Sequence, residues 1–312
     1  MQTTTRPRPD GLKVGVPPPW TKVDKPRVWR SLYRAAFVVC CAAFGFFSVP
    51  VMAAGGALTY YPVAPIHEYR WKLLELALAH APDGPTPLTP YTEVITQNRA
   101  VQLLQSGGID VIALGTSTER ESQMLPIKID ILRGILGYRI FIIRATDQQR
   151  IAHMNEQMLR KQLTFGLNNQ WADLPVMRAN GLTVETSTGY ESLFGMLVAN
   201  RFDAFPRGLN EAARELEERK LNYPQLALEK TKALFYPFPV YFWVNKDNKA
   251  LAQRIEHGLK LALADGSFRK LFEMYHANEI ATLAKENRQV VRLSNPTLPP
   301  SSPEPDTRWW WR

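Results

Sequence analysis

Between residues 57 and 280, short apolar runs alternate with stretches whose apolar side chains recur at helical spacing. The pattern predicts a strand over 57–61 that ends at Pro62. Residues 68–80 place Trp71, Leu74 and Leu78 on one helix face, and 95–105 do the same with Val101 and Leu104 before Gly107-Gly108. Residues 109–114 (IDVIAL) and 137–144 (GYRIFIIR) are near-continuous apolar runs, the pattern expected of strands buried in a parallel sheet. A second round follows: strands over 163–167, 182–185 and 202–205 alternate with helices over 171–180 and 190–200. Next come a charged helix over 209–220, predicted to be exposed, a strand over 240–244, and helices over 250–264 and 268–275. Strand–helix alternation of this kind predicts an α/β fold with parallel sheets.

The alternation falls into two blocks with strands near 140 and 240 at their edges. This predicts two lobes joined by two crossovers: residues 54–139 with 240–294 in lobe 1, and 140–239 in lobe 2. From Asn295 the chain turns Pro- and Ser-rich and ends in Trp309–Trp311, a tail (295–312) expected to be extended rather than a packed domain.

Charge changes the picture only at the N-terminus. Of 38 basic and 29 acidic residues, eight and two lie in 1–53, leaving 30 against 27 in the rest. That remainder is an ordinary soluble surface with no basic stripe interleaved with aromatics, which argues against a nucleic-acid partner. The basic segment ends at Arg34, and an apolar run over 35–54 follows at once, with Val51-Met52-Ala53 offering a small-residue cleavage site. Residues 1–53 therefore read as an export signal, which predicts a periplasmic protein. An uncleaved membrane anchor is the alternative, since the run is about long enough to span. Both cysteines, Cys40 and Cys41, fall in this run, so the exported part would rely on its core without disulfides.

The five histidines are scattered without ligand spacing and no further cysteine helps them, so neither metal nor other cofactor is expected. No nucleophile elbow, P-loop or dinucleotide fingerprint occurs. One segment carries candidate chemistry: in 109–120 (IDVIALGTSTER) an apolar strand runs into a polar turn. The loop after a strand's carboxyl end is where open α/β sheets bind ligands. Thr116, Ser117 and Thr118 offer hydroxyls there, and Arg120 offers a planar fork suited to a carboxylate. A solvated turn with an exposed arginine is the plain alternative.

With these pieces the chain resembles the family 3 extracellular solute-binding proteins, which serve polar amino-acid ABC transporters. The resemblance covers roughly residues 57–280. It rests on the order of Tyr61-Pro62, Gly108-Ile109-Asp110-Val111, Glu119-Arg120, Asn200-Arg201-Phe202-Asp203-Ala204 and Ala264-Asp265-Gly266-Ser267-Phe268. It implies two α/β lobes with a hinge, the type II periplasmic-binding fold, closing over a ligand. By the same resemblance, Arg120 would grip the ligand's carboxylate with Ser117 as its hydroxyl partner, and Tyr61 would form an aromatic wall or else be a strand-end core residue. Gly115 stands where many members carry serine, so one hydroxyl contact would be missing.

The second block departs further. The family's ammonium-holding aspartate would fall at Gly208, and the residue before it is Arg207. Arg207 would either face the cleft and select an anionic ligand, or point to solvent or cap the next helix. Asn169 and Trp171, between a strand and a helix, are further cleft candidates, with the helix N-terminus favouring negative charge. The expected function is capture of a small polar, carboxylate-bearing ligand for a membrane permease, by a monomer and without catalysis. A ligand-binding sensory module is the alternative. A cyclohexadienyl-dehydratase-like enzyme comes behind it, for which Glu119 and Glu185 are the nearest loop acids.

Overall fold

Polar residues next to apolar runs set the helix boundaries. Thr96 Oγ1 accepts the Arg99 N–H at 3.3 Å, and Gly107 ends the same helix in the left-handed region at φ 81°. The Asn155 and Asn248 side chains accept the N–H of Met158 and Leu251 in the same way. The computed structural model describes residues 56–62 and 67–302, within a compact unit that begins at Ala54. The expected export signal and the terminal tryptophans lie outside the described residues. Among those residues no helix is long and apolar enough to cross a membrane.

The first block gives β1 (Leu58–Tyr60), α1 (Glu68–His80), β2 (Leu88–Pro90), α2 (Gln97–Ser106), β3 (Ile112–Gly115), α3 (Thr118–Gln123) and β4 (Leu125–Ile127). The second gives β5 (Tyr138–Arg144), α4 (Gln148–Ala152), α5 (Glu156–Gln162), β6 (Thr164–Asn168), α6 (Asp173–Ala179), β7 (Thr183–Ser187), α7 (Tyr190–Val198), β8 (Ala204–Gly208), α8 (Ala212–Glu218), β9 (Leu226–Leu228) and β10 (Lys232–Phe235). The chain then returns with β11 (Val240–Val244), α9 (Lys249–Ala264), α10 (Ser267–Lys285) and β12 (Gln289–Arg292).

In lobe 1, β11 lies between β3 and β4, and a bridge from Tyr60 to Val111 attaches the parallel pair β1–β2 to β3. In lobe 2 the order is β12-β10-β5-β8-β6-β7, with β9 also paired to β5. The chain passes between lobes at residues 128–137 and 236–239. The Asp130 carboxylate ties the first passage to the start of β11 by accepting the N–H of Leu132, Gly134 and Val240 at 3.0, 2.7 and 3.0 Å.

Several expectations change. The apolar strands β3 and β5 are not in purely parallel sheets: β3 runs antiparallel to β11, and β5 runs antiparallel to β8, β9 and β10. Their continuous apolar character comes from burial on both faces, which does not depend on strand direction. The helix near 268–275 extends to Lys285. Beyond it, β12 pairs in parallel with β10 in the lobe 2 sheet, so residues 289–292 do not belong to lobe 1. The helix expected to be exposed over 209–220 shortens to α8 and carries Glu215, which is 1% exposed.

The tail is docked along residues 295–302. Asn295 Nδ2 donates to Pro237 O at 2.8 Å, the Thr118 N–H donates to Thr297 O at 2.9 Å, and Lys128 Nζ donates to Ser301 Oγ at 2.6 Å. Just before it, the Ser294 N–H donates to Asn180 Oδ1 at 3.1 Å. The segment therefore leaves the lobe 2 sheet, crosses the outer mouth of the cleft, and ends on α3 of lobe 1.

Candidate functional site

A cavity of about 390 Å³ lies between the lobes. Lobe 1 contributes Tyr61 after β1, Arg70 from α1, Gln97 at the start of α2, Gly115 at the end of β3, and Arg120 from α3. Lobe 2 contributes Trp171 and Asp173 around the start of α6, Tyr190 from α7, Arg207 from β8, and Glu211 and Glu215 around α8. Arg139 enters from the start of β5 and Phe238 from the second crossover. The lobes touch across the mouth, where the Asn98 N–H donates to Gln170 Oε1 at 3.4 Å.

Arg120 is placed by its own helix cap: Ser117 Oγ accepts the Arg120 N–H at 3.2 Å and fixes the first turn of α3. Its Nη1 donates to Gly115 O at 2.7 Å and its Nη2 to Gln97 Oε1 at 3.0 Å. Both acceptors are neutral oxygens. Burial lowers the Arg120 pKa to about 10, against the pull of Asp173 and Glu119, which still leaves it charged at neutral pH.

The other arginines of the cavity are paired. Arg207 Nε and Nη2 donate to the two oxygens of Glu215 at 2.5 and 2.6 Å, and Nη2 lies 2.9 Å from Glu211 Oε2. Burial opposes its charge, but Glu211 and Glu215 outweigh this and raise its pKa. The guanidinium carbon of Arg207 sits 4.5 Å from the Trp171 ring centroid and 5.2 Å from that of Phe205, two rings stacked at an interplanar angle of 7°. Arg139 Nη2 lies 2.5 Å from Asp173 Oδ1, which also accepts the Tyr236 hydroxyl. Arg70 Nη2 is 3.6 Å from Glu211 Oε1. Burial favours the protonated form of Glu211, yet the nearby arginines, Arg207 first, hold its pKa at about 2.

Of the residues read from the sequence, Arg120, Tyr61, Trp171 and Arg207 line this cavity. The Tyr61 hydroxyl donates to the O of Ile95, another residue of the cavity wall, at 3.0 Å. Arg207 faces the cleft but is neutralised by Glu215 and Glu211, so it is not the free anion receptor that its position beside Gly208 invited. Three candidates do not reach the inner cavity. Thr116 is fully buried and turns its Oγ1 toward Glu121 at 3.4 Å, while Ser117 and Asn169 line an outer cleft beside the tail segment. Of the loop acids, Glu119 lies in that outer cleft and Glu185 on the exposed part of β7. Asp203 accepts the Thr164 N–H at 2.9 Å and pairs with Arg150 at 2.7 Å, away from the cavity.

Arg70, Arg139, Glu211 and Glu215 escaped the sequence reading. One signal was present: Glu211 and Glu215 stand four and eight residues after Arg207, a spacing that can return carboxylates to one side of a turn and helix. At position 208, where the resemblance would put an aspartate, side-chain ends crowd the glycine. A Cβ there would meet Leu136 Cδ1 at 2.5 Å, Asn210 Oδ1 at 2.9 Å and Glu211 Oε2 at 3.1 Å.

No protein-family profile matches the chain, and no curated protein matches it. Solved structures do. An arginine-specific periplasmic binding protein from Salmonella typhimurium aligns at TM-score 0.52 and 16% identity, over 70% of this chain and 99% of that one. An amino acid ABC transporter substrate-binding protein from Streptococcus pneumoniae, bound to L-arginine, aligns at 0.51 and 11%, over 71% and 93%. An ancestral amino acid-binding protein described as a precursor of cyclohexadienyl dehydratase aligns at 0.51 and 16%, over 70% and 95%. These likenesses show the fold: two α/β lobes about a cleft, the type II periplasmic-binding architecture.

Proposed function

We propose that this protein is a periplasmic solute-binding protein that captures a small carboxylate-bearing molecule between its lobes and presents it to a membrane permease. The observation that carries the reading is Arg120. Its guanidinium lines the interlobe cavity and, among the described residues, donates to the neutral Gly115 O and Gln97 Oε1, while the other arginines of the wall are paired with carboxylates. A ligand carboxylate can take the place of these neutral acceptors with charge-assisted hydrogen bonds, and the low local dielectric strengthens that exchange. Enclosure between two lobes ties binding to closure, the conformational signal such a partner can read. The paired state of Asp173, Glu211 and Glu215 supports binding over acid–base chemistry. A carboxyl group held near pKa 2, as Glu211 is, has no proton to give at neutral pH.

The reading is tested by thermal shift and calorimetry against small carboxylates, with Arg120→Ala as control. Stabilisation by one ligand class in the native protein, lost in the variant, is expected. Equal binding by both proteins would remove Arg120 from the site and the reading with it.

A further inference from the structure

We infer that Arg207 is a built-in occupant of a cation cage, and that the cavity therefore takes a ligand of net negative charge with no guanidinium or amine side chain. The inference rests on the solute-binding reading and names the class of solute. Its cage component stands on geometry alone.

The cage belongs to lobe 2. Trp171, Tyr190 and Phe205 place their ring centroids 4.5, 5.7 and 5.2 Å from the Arg207 guanidinium carbon. Glu215 meets Nε and Nη2 as a fork, and Glu211 adds a second carboxylate at 2.9 Å. Aromatic faces with two carboxylates are what recognition of a free guanidinium or ammonium head requires. Here the chain supplies that head from β8, and Arg207 is only 6% exposed.

With the cage filled, four arginines face three carboxylates around the cavity. The remaining positive charge is that of Arg120. A cationic side chain entering this space would find its aromatic seat taken and both cage carboxylates already engaged by Arg207. A ligand of single negative charge balances the wall.

The experiment measures binding by calorimetry and thermal shift with the full chain and with Arg207→Ala. The probes are methylguanidinium, L-arginine, L-lysine, L-glutamine, L-glutamate and small uncharged-tail monocarboxylates. The native protein is expected to bind anionic compounds, to bind glutamine more weakly, and to leave arginine, lysine and methylguanidinium unbound. Arg207→Ala is expected to gain methylguanidinium and arginine binding, on the order of tenfold or more over the native protein. Should that variant fail to fold, Arg207→Ala with Glu215→Gln keeps the cage open and removes one of the two uncompensated carboxylates, and Glu211 remains to hold methylguanidinium.

Tight binding of arginine or lysine by the native protein would overturn the inference, as would an Arg207-less cage that ignores methylguanidinium. A different pattern marks failure of the solute-binding reading itself: no anion binds the native protein, yet methylguanidinium still stabilises the variant. In that case the cage stands and the ligand class falls.

Discussion

Phe238 packs directly over Gly115: a Cβ at position 115 would meet Phe238 Cε1 at 2.4 Å and Cζ at 2.5 Å. The serine that the resembled family carries there is therefore missing for a steric reason. The ring of a crossover residue has taken the space and lines the cavity beside Arg120. Gly115→Ser should push Phe238 off its seat and lower stability by about 1–3 kcal/mol, the usual range for overpacking. Gly115→Ser with Phe238→Ala should regain most of that loss. Thermal unfolding of the single and double variants tests the coupling, and additive effects would show that the two sites do not meet.

Removing Asp130 should loosen the crossovers more than any other single change there. It accepts N–H groups from residues 132 and 134 in the first passage and from residue 240, where the second passage enters β11. Asp130→Ala leaves three backbone donors without their acceptor and should lower stability by about 3 kcal/mol or more. Asp130→Asn retains one acceptor oxygen and should fall between that variant and the native protein. Urea denaturation midpoints give the order, and equal midpoints for alanine and asparagine would contradict the role.

Cutting the chain after Ser294 should change how fast the cleft exchanges its contents while leaving the sheets intact. Residues 295–302 bond to Pro237, Thr118 and Lys128, and Pro296 and Thr297 line the outer cleft of about 780 Å³ next to Arg120. Their loss removes a link between lobes but no strand. Stopped-flow mixing with a bound ligand should show faster release, with the thermal midpoint lowered only modestly. Unchanged release would place the segment outside the exchange route.

Much of the lobe 1 core was legible because its signals are local. Trp71, Leu74 and Leu78 recur at helical spacing, Thr96 and Gly107 bracket α2, and the apolar run before Gly115 can only be a buried strand. What escaped depends on distant partners. The four residues of β12 follow a charged helix and become a strand only because β10 offers an unpaired edge some 57 positions earlier. Arg120 stood out as a fork after a strand, since the turn it occupies is contiguous in sequence. Arg139 and Glu215 did not, because a charged residue reads as surface until its buried counter-charge is located. Glu215 on α8 looks like a solvated helix position until Arg207 is seen to donate both Nε and Nη2 to it.

Stability should fall on acidification through His276, which is 2% exposed and lies 4.7 Å from the Tyr69 ring and 5.1 Å from Phe272. Neither ring nitrogen has a hydrogen-bond partner among the described residues. Burial, and then the charges of Arg214 and Arg70, lower its pKa from 6.5 to about 3. The folded form therefore keeps the ring neutral where the unfolded chain takes a proton. The contribution is fully present above pH 6.5 and is lost as pH falls toward 3. His276→Phe removes the titration and the unpartnered nitrogens while keeping the aromatic packing. The variant should match or exceed the native protein at pH 7 and gain on it by about 3 kcal/mol at pH 4. Asp130, whose pKa burial raises to about 6, titrates in the opposite sense, but it is present in both proteins and cancels in the difference. Denaturation midpoints of the pair between pH 4 and 8 decide the matter, and parallel curves would mean that His276 titrates alike folded and unfolded.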